Sequence, residues 1–488
     1  MSRFLAVPLL LLLAGGCAPT SLELMLPPHY AASLSRSPYP SLKNRLDALI
    51  PDSLFPPSNL GVKVVSLKTG QTLYTLNSSS LFNPASNQKL FTGATALTLL
   101  GSSFSLNTTV SIDTVTGIIQ VRGHGDLLIR TGDIDSLAGL ILPQLSARNY
   151  WTVVGDVSYF DDLPWGAGWS WDEEPAAYGM FVSPLILNNN TVSVRVQPAQ
   201  WVGDSVRVTV SPWTSHIGLR VRARTVQDSI RDPLVVTRKW RERSNLITVE
   251  GEMPLNGRTF TDDLSVWRPE LYFVTVLGER LRALGVPVLG VTVENAPGEA
   301  PEILRYSHRL DSALTFTEKV SDNLGAEALL KIIAAEKIGQ PGSAENGIHV
   351  MNSYLSSIGI DTMKIALADG SGLSRMNLSS PDAVVRLLAA VYADTVSFPV
   401  FYHALPIAGV DGTIGRRMRG TSAEANLRAK TGTLSAVTAL SGYVTTADGE
   451  LLAFSIMMQN FAGSSRTYRT VQDRIGGLLG GLTRDQLR

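Results

Sequence analysis

Ser86 and Lys89 stand three residues apart in the stretch Asn83-Pro84-Ala85-Ser86-Asn87-Gln88-Lys89-Leu90-Phe91. Pro84 has no N–H to satisfy and a φ close to the helical value, which suits the first position of a helix. Ala94, Leu97 and Leu100 then recur at helical spacing, with Gly93 as a weak spot that the pattern survives. On such a helix residues three apart lie on one face, so an amine sits beside a hydroxyl. A serine hydroxyl becomes a good nucleophile only when a neighbouring base takes its proton. Lysine serves as that base only where burial or nearby positive charge lowers its pKa. Alone, the tetrad fits an ordinary amphipathic helix better than an activated serine.

Two later stretches change that balance. Ser321-Asp322-Asn323 follows a polar helical run and precedes Leu324-Gly325-Ala326-Glu327. Lys430-Thr431-Gly432-Thr433 lies within Leu427 to Ser435, which reads as a strand. Ser-x-x-Lys, Ser-Asp-Asn and Lys-Thr-Gly in this order form the signature of penicillin-binding proteins and class A β-lactamases. Each element alone is weak: Ser105-Leu106-Asn107 is a decoy for the second and Lys68-Thr69-Gly70 for the third. The latter lies between Val62–Leu67 and Gln71–Leu76, where hairpin-turn chemistry explains it.

The elements that must hold these residues follow from the chain in order. Residues 1–16 read as a secretory signal peptide: one arginine, an apolar run from Phe4 to Ala14, then small residues. Cys17, the only cysteine, follows Leu13-Ala14-Gly15-Gly16 and resembles a bacterial lipoprotein cleavage site, with an ordinary cleaved signal as the alternative. A single cysteine allows no internal disulfide, so stability must come from core packing. The 488 residues amount to roughly three domains. Zero formal net charge and no basic cluster give no reason to expect nucleic acid as a partner. The six histidines show no metal-ligand spacing, and His124 reads as a turn residue, so no metal or cofactor is expected.

A Pro- and Ser-rich tether (17–40) leads to a helix near Leu42–Leu49, two strands and the nucleophile helix. Alternating runs such as Val206–Val210, Leu219–Ala223 and Leu246–Val249 mark a β-rich insertion, with helical periodicity at Leu271–Leu284. Helices are predicted over Leu310–Ile333, Gly347–Ile358 and Pro381–Tyr392. Strands follow at Leu427–Ser435, Ala439–Thr446 and Leu451–Gln459, then a closing helix at Arg466–Leu482. Strands from both chain ends with helices between them make one α+β domain interrupted by the insertion.

With these features the chain resembles the D-alanyl-D-alanine carboxypeptidase/endopeptidases, the class C low-molecular-mass penicillin-binding proteins. Phe82 to Lys89, Asp369-Gly370-Ser371-Gly372-Leu373-Ser374-Arg375 and Leu405 to Gly412 carry the resemblance beyond the three motifs. It implies a penicillin-binding transpeptidase/β-lactamase-like domain at 41–103 and 302–488. The insertion would form one domain at 104–130 and 213–301, with a second nested inside it at 131–212. The Gly-Asp-Pro turn of the family is Gly125-Asp126-Leu127 here. The family also uses an acidic residue near Gly155–Asp162 for the diamino-acid side chain of its substrate, a task for Asp161 or Asp162.

The resemblance further implies roles. Ser86 attacks the carbonyl between two D-alanines, with Lys89 as general base. Ser321 passes a proton to the departing amine, and Asn323 holds Lys89 and accepts the substrate amide. Lys430 and Thr431 bind the terminal carboxylate, and Gly432 leaves room for substrate backbone along the strand. The N–H groups of Ser86 and Thr433 form an oxyanion hole, such donors being worth about 3 kcal/mol each in other hydrolases. The Asp369–Gly372 loop reads as mainly structural, being rich in residues that hold tight turns. The implied partners are peptidoglycan stem peptides and β-lactams, in the periplasm or cell envelope, with membrane attachment through a lipidated Cys17. A serine β-lactamase, a non-catalytic penicillin sensor or wall-binding module, and a broad esterase stay open as alternatives. The insertion is expected to select substrates rather than to serve hydrolysis itself.

Overall fold

A computed structural model describes residues 39–51, 53–55, 58–147, 150–295 and 300–487. The signal segment and Cys17 lie outside the described residues, as does the tether up to residue 38. In chain order come α1 (Pro40–Asp47), β1 (Asn59–Ser66), β2 (Thr72–Leu76), α2 (Gln88–Leu100), β3 (Ser105–Asp113), β4 (Ile118–Gly123), α3 (Thr131–Ile141) and β5 (Trp151–Asp156). Short strands follow: β6 (Thr191–Gln197), β7 (Arg207–Ser211), β8 (Gly218–Val221), β9 (Arg224–Val226), β10 (Val235–Arg238), β11 (Leu246–Glu250), β12 (Glu252–Pro254) and β13 (Phe260–Ser265). Next are α4 (Pro269–Ala283), β14 (Val288–Glu294), β15 (Glu302–Arg309), α5 (Leu310–Val320), α6 (Asn323–Lys337) and α7 (Ala344–Ser357). The chain closes with α8 (Pro381–Ala393), α9 (Ser397–Ala404), β16 (Arg428–Leu434), β17 (Val437–Thr445), β18 (Leu451–Gln459) and α10 (Ser465–Gly480).

The two chain ends meet in one sheet ordered β16-β17-β18-β1-β2, as the α+β reading requires. Every pairing in it is antiparallel. β17 and β18 are buried on both faces, which explains their near-continuous apolar sequences. Side chains alternate across them. Leu440, Val444, Phe454 and Ile456 join α1 and α10 in one core, while Ala439, Tyr443, Ala453 and Met457 join α2 and α8 in another. Lys68-Thr69-Gly70 occupies the β1–β2 turn, with Gly70 at φ 72°.

The helix predicted over Leu310–Ile333 is two helices. Ser321 at φ 63° ends α5 in the left-handed region, and the Asp322 carboxylate accepts from Gly325 N as the N-cap of α6. Apolar periodicity runs through this break, so only the capping chemistry reveals it. The motif serine therefore sits at a corner between helices.

The sheets divide the insertion elsewhere than at Thr131 and Pro212. β5 lies between β4 and β14 in the sheet β14-β5-β4-β3-β15, so residues 131–156 belong with the outer strands. β6 lies between β7 and β13, and β13 lies well beyond Pro212. β15, expected in the catalytic part, pairs with β3. One core runs through Val110, Val153, Val194, Ile247, Tyr272 and Val288, and a second, with Leu127, Phe160, Met180, Leu324 and Ile332, seals the insertion against α5 and α6.

The segment 157–190 spans these layers. Glu174 in it forms a buried ion pair with Arg238 of β10, and Trp171 packs 5.5 Å from Trp240. Breaking a buried pair leaves one uncompensated charge. Glu174→Ala is expected to destabilise the protein by about 3–5 kcal/mol, read as a lowered denaturant midpoint. A midpoint equal to that of the parent protein would show that the pair bears no load.

Candidate active site

The turn that carries Ser86 departs from the predicted helix start. Ala85 has φ 45°, residues Ala85–Asn87 form a 3₁₀ turn, and the α-helix begins only at Gln88. Asn83 caps this turn by accepting from Ala85 N at 2.9 Å. Asn87 Nδ2 donates to Ser441 Oγ of β17 at 2.6 Å, tying the turn to the central sheet. The distortion leaves Ser86 half-buried while Lys89 is fully buried.

Lys89 Nζ donates to Ser86 Oγ at 3.2 Å, to Asn323 Oδ1 at 2.7 Å and to Ser371 O at 2.7 Å. Burial lowers this amine to about 8, against the raising effect of Asp369, Glu318, Asp322 and Glu327. Its three contacts are neutral oxygens, so none prevents the loss of its proton. On the opposite side, Lys430 Nζ donates to Ser321 Oγ at 2.7 Å. Lys430 is also fully buried, and burial together with the Lys89 charge pulls it down. Thus Ser86, Lys89, Ser321, Asn323 and Lys430, more than 340 positions apart at the extremes, share one hydrogen-bonded cluster.

β16 is an edge strand, so one side of Lys430-Thr431-Gly432-Thr433 is free of a sheet partner. Gly432 faces the Ser86 turn: a Cβ there would come 2.6 Å from Pro84 O and 3.2 Å from Ser86 N. Thr431 is partly exposed and donates its hydroxyl to Thr413 Oγ1 at 2.8 Å, and Thr433 is exposed. Thr413 follows directly on the Leu405–Gly412 stretch, yet sequence reasoning did not single it out. No local spacing links residues 413 and 431.

The Asp369–Ser374 loop forms the wall behind Lys89. Asp369 accepts from Gly372 N at 2.8 Å and Ser374 N at 2.7 Å, and Glu327 accepts from Ser371 N at 2.8 Å. Gly372 lies at φ 84°, where a Cβ would fall 1.8 Å from Ala85 O. Only glycine lets this loop approach the Ser86 turn so closely.

The insertion also reaches the site, contrary to its expected separation from hydrolysis. Tyr178 O accepts from Asn323 Nδ2 at 2.8 Å, and Trp169 Nε1 donates to Asp369 Oδ2 at 2.9 Å. Asp161 is instead paired with the buried Lys331 and is not free for a substrate. Asp172 and Glu173 lie between Trp169 and Tyr178. Burial and the Asp172 charge raise the Glu173 carboxyl, while Arg375 of the opposite wall lowers it. This acidic pair was missed because its position depends on how residues 157–190 cross the insertion. Among the described residues no cluster of His, Cys, Asp and Glu could hold a metal ion.

Comparison with known proteins agrees with this architecture. The D-Ala-D-Ala carboxypeptidase 3 (S13) family profile matches residues 42–480. A D-alanyl-D-alanine carboxypeptidase from an Actinomadura species is 34% identical over 464 residues, covering 89% of this chain and 83% of the relative. D-alanyl-D-alanine carboxypeptidase DacB of Haemophilus influenzae is 27% identical over 408 residues, covering 81% and 84%. The crystal structure of penicillin binding protein 4 from Haemophilus influenzae superposes with TM-score 0.77 at 24% identity, covering 90% of this chain and 99% of that one. The chain thus belongs to the D-Ala-D-Ala carboxypeptidase 3 (S13) family and is a serine-type D-Ala-D-Ala carboxypeptidase.

Proposed function

We propose that Ser86 is the nucleophile and Lys89 its general base in cleavage of D-alanyl-D-alanine bonds of peptidoglycan stem peptides and their cross-links. The observation that carries this reading is the 3.2 Å contact between Ser86 Oγ and an amine held near pKa 8 by burial. Neutral Lys89 takes the hydroxyl proton as Oγ attacks the carbonyl carbon. The Ser86 and Thr433 N–H groups stabilise the resulting oxyanion. Ser321 gives its proton to the departing amine and is resupplied by Lys430, to which it is hydrogen-bonded. Water then hydrolyses the acyl-Ser86 ester. Lys430 and Thr431, with Thr413 orienting the latter, bind the terminal carboxylate. Gly432 lets the substrate backbone lie along edge strand β16, and Asn323 receives its amide. With Asp161 paired to Lys331, Asp162 or Asp172 is the acidic partner of the substrate's diamino-acid side chain. β-Lactams acylate the same serine.

No helix among the described residues is long and apolar enough to cross a membrane. We place the enzyme outside the cytoplasm, in the cell envelope, tethered through lipidated Cys17. One acyl chain alone binds a membrane only marginally, so stable tethering calls for more than one.

Penicillin is expected to add one covalent adduct at Ser86, with a rate that rises as pH climbs through about 8, where Lys89 becomes neutral. Lys89→Arg, which cannot give up its charge, should lower that rate by at least about a hundredfold. Intact-mass measurement showing an equal adduct on Ser86→Ala, or near-parent rates for Lys89→Arg, would refute the assignment. Metabolic labelling with a fatty-acid analogue should tag the parent protein and not Cys17→Ser. An unlabelled parent protein would leave only a cleaved signal.

A further inference from the structure

Glu318 is a charged group to which the proposed chemistry gives no task. It lies in the last turn of α5, three residues before Ser321, the left-handed residue that ends the helix. Its side chain is fully buried, and neither carboxyl oxygen has a hydrogen-bond partner among the described residues. A polar group kept in that condition is costly to folding.

Room for it comes from Gly93, four residues after Lys89 and on the same face of α2. A Cβ at Gly93 would lie 3.0 Å from Glu318 Oε1 and 2.7 Å from Leu314 Cδ1. The residue that weakens the nucleophile helix therefore lets the carboxyl reach the helix face that carries the base. Burial raises the Glu318 carboxyl to about 7, Lys430 and Lys89 are the two charges that pull it back down, and it acts on both in return. Other charges face elsewhere. Asp322 and Glu327 of the α6 turn and Asp369 act on Lys89, and Asp411 is paired with Lys319. Arg309, next to α5, pairs with Asp311. From α9, apolar Phe401 points toward Gly93, while exposed His403 bonds to Pro399 O.

We propose that Glu318 is a positioning residue acting through Lys89 and Lys430, a buried counter-charge that sets how protons are shared between the two amines. The inference rests on Lys89 being the base. An ionised carboxyl favours the ammonium form of both lysines, so its removal makes both release protons at lower pH. The rising limb of the pH profile belongs to Lys89 losing its proton, near 8. Lys430 is pulled lower than Lys89, so no falling limb beyond that pH is assigned to it. Loss of the Glu318 charge must then move the rising limb to lower pH.

The test is the rate of penicillin acylation across pH for the full-length protein, Glu318→Gln, Glu318→Met and Glu318→Asp, each first confirmed folded by thermal melting. The Gln and Met variants should displace the rising limb to lower pH by about one unit. That makes them up to about tenfold faster than the parent on that limb, at pH values where the Glu318 carboxyl is ionised. Glu318→Asp should stay close to the parent profile. If Glu318→Gln fails to fold, Glu318→Met removes the same charge with an apolar group suited to the site. An unmoved rising limb, a uniform loss at every pH, or an alkaline displacement would overturn the proposal. Lys89→Arg measured alongside separates the two readings. An active Lys89→Arg enzyme refutes the base assignment, whereas an inactive one with an unmoved rising limb in the Glu318 variants refutes only the counter-charge.

Discussion

The cost of burying two ammonium groups in one cluster is the constraint on which the rest of the structure depends. Lys89 and Lys430 are both excluded from water. A buried charge is tolerated only where hydrogen bonds or opposite charge compensate it. Here the direct contacts are neutral oxygens from Asn323, Ser371 and Ser321, and the acidic groups stand further back. A carboxylate in contact with Lys89 would hold its proton firmly. Neutral acceptors satisfy the amine while leaving it able to become neutral.

That arrangement dictates much of the surrounding backbone. Ser371 can present its carbonyl to Lys89 only because Asp369 and Glu327 collect the N–H groups of the loop around it. Asn323 can present its amide because Asp322 caps α6 and turns the chain after Ser321. Three of the positions in the left-handed region, Ala85, Ser321 and Gly372, lie within this shell. Backbone in the left-handed region persists where neighbours hold it, and such positions gather at functional sites.

The insertion shares in the same shell. Its Tyr178 carbonyl bonds to the amide of Asn323, whose oxygen receives Lys89. Its Trp169 bonds to the carboxylate that organises the Asp369 loop. The segment carrying both is fixed at its middle by the Glu174–Arg238 pair. Any view of the insertion as a detachable specificity module must account for these three contacts.

The sequence by itself determined the α+β class, the strands of the central sheet and the three motifs. These are local signals: apolar alternation, capping chemistry and short fixed spacings survive without knowledge of distant partners. Ser86 and Lys89 could be paired because one helical turn joins them. Tertiary structure alone decided what is long-range. It set β5 beside β14, far from it in sequence. It assigned Asp161 to Lys331 and brought Thr413 to Thr431. It also made Gly93, a defect on helix propensity, the space occupied by Glu318. Propensity is a property of a few neighbouring residues, whereas burial and charge pairing are properties of the packed whole.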